Sequence, residues 1–242
     1  MSYGISLHVW GDYACFTRPE LKAERVSYEV MTPSAARGIL SAIYWKPQFR
    51  WVIDRIHVLK PIRFIQIMRN ELREKIPAPR RAKDGTYFLS KECFFIDDID
   101  KEPLRVQRQS LILKDVSYVI DAHVEIIEPE KEVNSVAKHL EVFKRRASKG
   151  QCFHQPCLGT REFYAMFELL DAQHFMPVST LPEDQKNRHL GMMLHDLVYV
   201  DDPKGKIICA HTGKKQSVVP TFYMADLRDG VLHVPPHSQT FA

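Results

Sequence analysis

TPSAARGILSAIYWKP, residues 32–47, opens with a helix start and closes with a helix stop, and the order of elements around it decides the fold. Thr32 is a favourable N-cap and Pro33 suits the first helical position, where a missing N–H costs nothing. Ala35, Ala36, Ile39, Leu40 and Ile43 recur at helical spacing, and Pro47 ends the run. The spacing predicts a helix over 33–45, with Tyr44, Trp45 and Lys46 on its last turn, facing outward together. A phenol, an indole and an ammonium in one place suit a nucleic-acid surface, with rings for bases and a cation for phosphate. Half-buried aromatics at a helix end are the competing reading of this segment taken alone.

Upstream, Ile5, Leu7 and Val9 alternate with polar residues and predict a strand ending at Gly11-Asp12. Downstream, a strand is expected from about Trp51 to Ile67, interrupted at Lys60-Pro61, where a proline implies an edge or a bulge. Residues 76–87, IPAPRRAKDGTY, lack apolar periodicity and read as an exposed basic loop between the arms of a hairpin. DVSYVIDAHVEII, residues 115–127, is strongly β-prone. A helix over 133–148 follows, with Val133, Val136, Ala137, Leu140, Phe143 and Ala147 on one face and Gly150 as its stop. Phe163, Ala165, Phe167 and Leu169 then alternate as a fourth strand.

The β-α-β-β-α-β order predicts an α+β chain of ferredoxin-like or RNA-recognition-motif type. The domain so defined covers 1–170, with a basic hairpin insertion at about 68–113. Beyond it, strands are expected at 190–200, at 217–225 and in VLHV after the Arg228-Asp229-Gly230 turn. They form a small antiparallel region, 171–242, packed on the first domain. This scaffold by itself implies no activity.

The chain of 242 residues is 45% apolar and 26% charged, ordinary values for a globular protein. No apolar run reaches the length of a membrane span, and MSYGISLHVWGDY lacks the basic start and apolar core of a signal peptide. A cytoplasmic location away from membranes is expected. Five scattered cysteines argue for reduced thiols. Cys152, His154 and Cys157 lie close together, but no second ligand pair stands at zinc-finger spacing, so loop cysteines are preferred to a metal site. The net charge is only +4. Its distribution is uneven, with basic residues gathered at 60–84 (including Arg69, Arg73, Arg80, Arg81 and Lys83) and at 138–149 (including Lys144, Arg145 and Arg146). Two local patches on a weakly basic chain suggest a phosphate-lined path.

On the second helix Lys138 falls opposite the apolar face and His139 at its flank. Such a pair can contact phosphate and handle a proton, although a solvated Lys beside a boundary His is the plainer reading. GQCFHQPCLGTREF, residues 150–163, is a loop in which Gly150 and Gly159 let backbone N–H groups approach a phosphate. It matches neither nucleotide-binding fingerprint. Asp97-Asp98 and Asp201-Asp202 lack the companions of a two-metal nuclease site, so metal-free chemistry with no cofactor is expected.

These residues together resemble a known family, the CRISPR-associated RAMP-superfamily proteins of subtype I-C (Dvulg type). The likeness is carried by GDYACFTRPE at 11–20, TPSAARGILSAIYWKP, VLKPI at 58–62, AKH at 137–139 and GQCFHQPCLGTREF, in that order. The resemblance implies a metal-independent endoribonuclease that cuts precursor CRISPR RNA at the base of its repeat hairpin. It also implies that the subunit stays on the mature crRNA 5′ handle, beside the other subunits of a type I-C interference complex. The family's catalytic group, a Tyr ending the first helix and a Lys-His pair on the second, falls on Tyr44, Lys138 and His139. Whether His139 or Tyr44 acts as general base stays open. RNA contacts are expected from Trp45, Lys46, Arg69, Arg73, Arg80, Arg81, Lys83, Lys144, Arg145, Arg146, Gly150 and Gly159. Two alternatives are a non-catalytic subunit that caps the handle and a module for double-stranded DNA.

Overall fold

A computed structural model of the chain describes residues 4–21, 23–72, 80–81, 83–84, 87–88, 105–127, 135–170, 176–208 and 213–241, with backbone alone at 80–81 and 87–88. In chain order the elements are β1 (Gly4–Ala14), α1 (Pro33–Ile43), β2 (Phe49–Val58), β3 (Phe64–Leu72), β4 (Arg80–Arg81), β5 (Tyr87–Phe88) and β6 (Arg105–Ile126). Then come α2 (Val136–Ala147), β7 (Met166–Leu170), α3 (Glu183–Lys186), β8 (Arg188–Asp201), β9 (Ile207–Ile208), β10 (Lys215–Arg228) and β11 (Val231–His233). No helix among the described residues is long and apolar enough to cross a membrane.

Contacts divide the chain into two units, residues 1–65 with 111–242, and residues 66–110. In the first, sheet order runs β7-β1-β6-β2-β11-β10-β8, with β9 on β10. Its first four members are the strands of the β-α-β-β-α-β series in the order 4-1-3-2, all antiparallel, which is the ferredoxin-like arrangement. Strand alternation produces the core. Ile5, Leu7 and Val9 of β1, and Tyr118, Ile120, Ala122 and Val124 of β6, turn buried side chains to one side. In β2 the inward set is Phe49, Trp51 and Ile53, then Ile56 and Val58, because a bulge between Ile53 and Arg55 advances the phase by one residue.

α1 begins as the sequence predicts. The Ala35 N–H donates to Thr32 Oγ1 at 3.3 Å, Pro33 opens the first turn, and Ala36, Ile39, Leu40 and Ile43 are buried against the sheet. Its end differs from expectation. The helix stops at Ile43, and Tyr44 is its C-cap in an extended conformation (φ −154°, ψ 125°), its N–H donating to Leu40 O. That change of backbone turns the phenol inward while Trp45 and Lys46 face solvent, so the three do not present one outward surface. α2 is capped by Ser135, whose Oγ accepts from the Lys138 N–H at 3.2 Å, and it buries His139, Leu140, Phe143 and Ala147.

Three other expected elements shift. The strand foreseen at 51–67 is two strands, β2 and β3, parted at 59–63 around Pro61. The fourth strand begins only at Met166, because Tyr164 makes an isolated bridge with Cys157. The connection foreseen at 181–189 contains the single turn α3. In the C-terminal stretch, Asp229 and Gly230 take positive φ at the turn, and Val231–His233 returns to pair with Arg55–His57 of β2. The tail strands thus belong to the same sheet as β1 and β2.

The second unit holds most of β3 and the start of β6, which pair with each other, and the short β4–β5 hairpin, Arg80 opposite Phe88. Within it Arg108 pairs with Glu71 at 3.2 Å and Arg69 donates to Ser110 Oγ at 2.7 Å.

Candidate active site

Tyr44 leaves the end of α1 and His139 stands in the first turn of α2, and the packing of the helices on one face of the sheet brings them together. Tyr44 Oη lies 3.0 Å from His139 Nδ1. Both rings are nearly enclosed, at 4% and 3% exposure. Phe49 supports them from the sheet, its ring centroid 5.6 Å from that of Tyr44 and 4.6 Å from that of His139. The Trp51 indole donates from Nε1 to the Tyr44 carbonyl at 2.9 Å and fixes the cap. Arg146 lies over the Tyr44 ring, its guanidinium 5.1 Å from the centroid, and its Nη1 donates to Ile43 O at 3.3 Å.

The charges at this site are one-sided. Burial, with Lys138 and Lys46 adding to it by charge, holds the His139 pKa below its ordinary value of 6.5. Burial raises the Tyr44 pKa, against an opposing pull from Arg146. At neutral pH the site therefore holds a neutral imidazole and a protonated phenol, with cations about them. His139 Nε2 is buried and has no hydrogen-bond partner among the described residues. The ring thus keeps one nitrogen uncommitted while Tyr44 fixes the other. A phenol, an imidazole and an ammonium make a poor cradle for a divalent cation but can exchange protons and attract phosphate.

The structure treats the remaining expected contacts unevenly. Lys138, Lys46, Lys144, Arg145 and Lys83 are exposed, as is Trp45 at 54%. Arg146 is not: it is half-buried, its guanidinium turned onto Tyr44, because residue 146 lies two helical turns from His139 and shares its face. Arg69 is likewise engaged inside the second unit. Gly150, beyond Ala147 and the Ser148 cap that end α2, has φ +63° and open space around it. At Gly159 (φ +90°), a Cβ would stand 2.0 Å from Cys15 O, so that glycine packs against the backbone just beyond strand β1. Arg73, and the side chains of Arg80 and Arg81, lie outside the described residues. Cys152 and Cys157 are free, half-buried thiols, and burial pushes the Cys157 pKa up. No group of three metal-ligating side chains is assembled among the described residues. The sequence reading missed Phe49 and Trp51; the only available signal was their place just beyond Pro47, where the chain must turn back across the helix end.

Residues 4–235 match the Cas5d family profile, described as CRISPR-associated protein (Cas_Cas5). This chain belongs to the Cas5d family. Two relatives named CRISPR pre-crRNA endoribonuclease Cas5d are similar along nearly their whole length. That of Mannheimia succiniciproducens is 48% identical over 236 residues, covering 98% of this chain and 96% of the relative. That of Thermus thermophilus is 40% identical over 235 residues, covering 96% and 91%. A crystal structure of a CRISPR-associated protein shares the fold with TM-score 0.63 at 22% identity, covering 99% of this chain and 95% of the other. Within this Cas5d-family chain, the Tyr44–His139 pair lies inside the matched span, just past the end of α1 and in the first turn of α2.

Proposed function

We propose that this chain is a metal-independent endoribonuclease that cuts precursor CRISPR RNA at the base of the repeat hairpin. The observation that carries the reading is the 3.0 Å contact between Tyr44 Oη and His139 Nδ1, with the opposite ring nitrogen unpartnered among the described residues. The family and its named relatives support the substrate class. In this reaction the 2′-oxygen attacks the neighbouring phosphorus and the bond from phosphorus to the 5′-oxygen breaks, the departing oxygen taking a proton from water, which leaves a 2′,3′-cyclic phosphate and a 5′-OH. His139, neutral at pH 7, takes the 2′ proton at Nε2. Tyr44 orients the imidazole through Nδ1, and Lys138 offsets the charge that builds on the phosphate. Because both rings are nearly enclosed, RNA must part the side chains over Nε2 before the proton can move.

Retention on the 5′ handle within a type I-C interference complex is part of the same proposal. Stem contacts are assigned to Arg80, Arg81, Lys144 and Arg145, through phosphate and groove shape more than through bases. Unchanged hairpin affinity at physiological salt after Arg80→Ala with Arg81→Ala would remove that assignment. The deciding experiment incubates the labelled cognate repeat hairpin with the protein in EDTA, with and without a 2′-deoxy substitution at the scissile nucleotide. Cutting that survives EDTA and vanishes on deoxy substitution is expected. With His139→Ala, cutting is lost and binding stays. Tight binding by the wild type with no cutting of either RNA assigns the chain instead to handle capping. Full competition by duplex DNA at moderate salt would favour a DNA-binding role.

A further inference from the structure

β8 carries a buried histidine that the reaction at Tyr44 and His139 does not use. His195 is 6% exposed, and its Nε2 donates to the Pro235 carbonyl at 2.9 Å. A carbonyl oxygen only accepts, so the ring proton sits on Nε2 and Nδ1 carries a lone pair. Nδ1 is buried and has no hydrogen-bond partner among the described residues. The elements packed around the ring offer little to a positive charge. The tail brings His237, edge-on with ring centroids 4.5 Å apart, and β10 brings Tyr223, perpendicular at 5.7 Å. From α1, Arg37 holds Asp196 Oδ1 through Nε and Nη2 at 3.1 and 2.6 Å, while Asp196 Oδ2 lies 4.0 Å from His237 Nε2. Burial above all, then His237 and Arg37, keeps the His195 pKa below 6.5, against the opposing pull of the Pro235 bond and Asp196.

The bond to Pro235 stands where the chain has few other fastenings. β11 ends at His233, and the Val234 N–H donates to Asp54 O at 3.0 Å. Pro235 and Pro236 have no N–H to give, so backbone ties there must run through their carbonyls. Gln239 and Thr240 donate back within the segment, to Pro236 O and His237 O. Beyond them, Phe241 and Phe222 exchange backbone hydrogen bonds of 2.7 and 3.0 Å. His195, His237, Pro235 and Pro236 share a cavity of about 30 Å³ with Trp51. The same indole meets Phe143 of α2 edge-on, centroids 4.8 Å apart, and its N–H holds the Tyr44 carbonyl. The tail segment therefore backs the side chain that fixes the cap.

We propose that His195 is a positioning residue: while neutral it latches residues 234–241 against β2 and braces Trp51 behind Tyr44, and on taking a proton at Nδ1 it releases them. The added N–H would belong to a buried cation without an acceptor, beside Arg37 and His237, so the protonated ring is stable only where water reaches it. Above pH 6.5 the ring is neutral whether the latch is closed or open. As pH falls below that value the open form takes the proton first, and closure weakens by about 10-fold per pH unit until the closed form is protonated too. The latch stands without the nuclease reading; its effect on cutting rests on that reading.

Hydrogen exchange of the full chain from pH 5 to 8, corrected for the intrinsic pH dependence of exchange, tests the latch at the Val234 and Phe241 amides. Ile120, in the central strand β6, is the reference. Wild-type protection at Val234 and Phe241 falls below pH 6.5 while that of Ile120 holds. His195→Gln, whose neutral amide can still donate to Pro235, keeps the protection at pH 7 and loses its decline with acid. His237→Gln, a change at a partly exposed ring, removes a neighbouring cation and makes the decline smaller. A decline of equal size in all three proteins, or none in the wild type, overturns the latch. The Tyr44 amide, bonded to Leu40 O at 3.0 Å, reads the brace: its protection declines with the other two, and if it holds while they fall the brace is overturned. Single-turnover cutting of the hairpin in EDTA is scored over the same range. The wild-type acid limb follows two protons, at His139 and His195, and the His195→Gln limb follows one; identical limbs overturn the positioning role. No cutting at any pH removes the nuclease reading and leaves the exchange results to decide latch and brace.

Discussion

Tyr44 and His139 hold each other, and removing either atom of the contact has a consequence that can be separated from folding. Tyr44→Phe deletes the hydroxyl and leaves His139 Nδ1 buried without its partner, costing about 1–3 kcal/mol of stability. Its larger effect is on chemistry. Single-turnover cutting falls by roughly 10²–10⁴-fold while hairpin affinity holds. Equal losses in both would reduce Tyr44 to a binding residue. The pH dependence follows from burial and the two lysines, which hold the His139 pKa below 6.5. The neutral form that the proposed reaction uses therefore persists to more acid pH than for an ordinary histidine, and the acid limb of the cutting rate is expected to have its midpoint below 6.5. Lys46→Met removes one of the charges and moves that midpoint upward, which rate measurements from pH 5 to 8 detect. Stability carries the same sign. Above pH 6.5 both folded and unfolded chains hold His139 neutral, and as pH falls through that value the unfolded chain gains the proton first, so the native state loses stability.

Among the elements, the start of α1 was the most legible from sequence, because a cap acts locally, whereas the helix expected from 133 starts at Val136 behind a Ser135 cap that the reading did not name. Thr32 and Pro33 announce α1 as the structure has it. The end of α1 was not legible, since the inward turn of Tyr44 depends on Phe49 and Trp51 arriving from the sheet, which periodicity does not encode. The place of Arg146 over Tyr44 was hidden for a similar reason. A basic residue in a basic run reads as a solvated cation, and only the position of α1 gives it a ring to cover. His139 at the flank of an apolar face was readable; the partner that makes it useful came from the family resemblance. The two loop glycines illustrate the same limit, as sequence gave both one role. Gly150→Ala strains a positive φ in open space and costs about 1 kcal/mol. Gly159→Ala also drives a Cβ into the Cys15 carbonyl, so its cost exceeds the strain of about 1–3 kcal/mol. Chemical denaturation of the two variants measures the difference; equal midpoints would remove the packing role of Gly159.

For the whole molecule, the feature that composition could not disclose is the pairing of β11 with β2, which puts the tail strands and the ferredoxin-like strands in one sheet. Leu232, Leu227, Ala225, Tyr223 and Met193 are buried in the same core as α1. A fragment of residues 1–170 loses them and leaves the β2 edge without its partner, so it is expected not to form a stable monomer. A soluble monomeric fragment with a cooperative thermal transition would show the contrary. The hydrogen bond from Trp51 to the Tyr44 carbonyl has a practical consequence. The chain contains three tryptophans, Trp10, Trp45 and Trp51, and replacing the first two with phenylalanine leaves one emitter inside the site. Its fluorescence is then a native optical gauge of the enclosed pair. If RNA must part the side chains over His139, the emission shifts on mixing with uncleavable hairpin before any phosphate bond is broken, and stopped-flow traces time the opening separately from the cut.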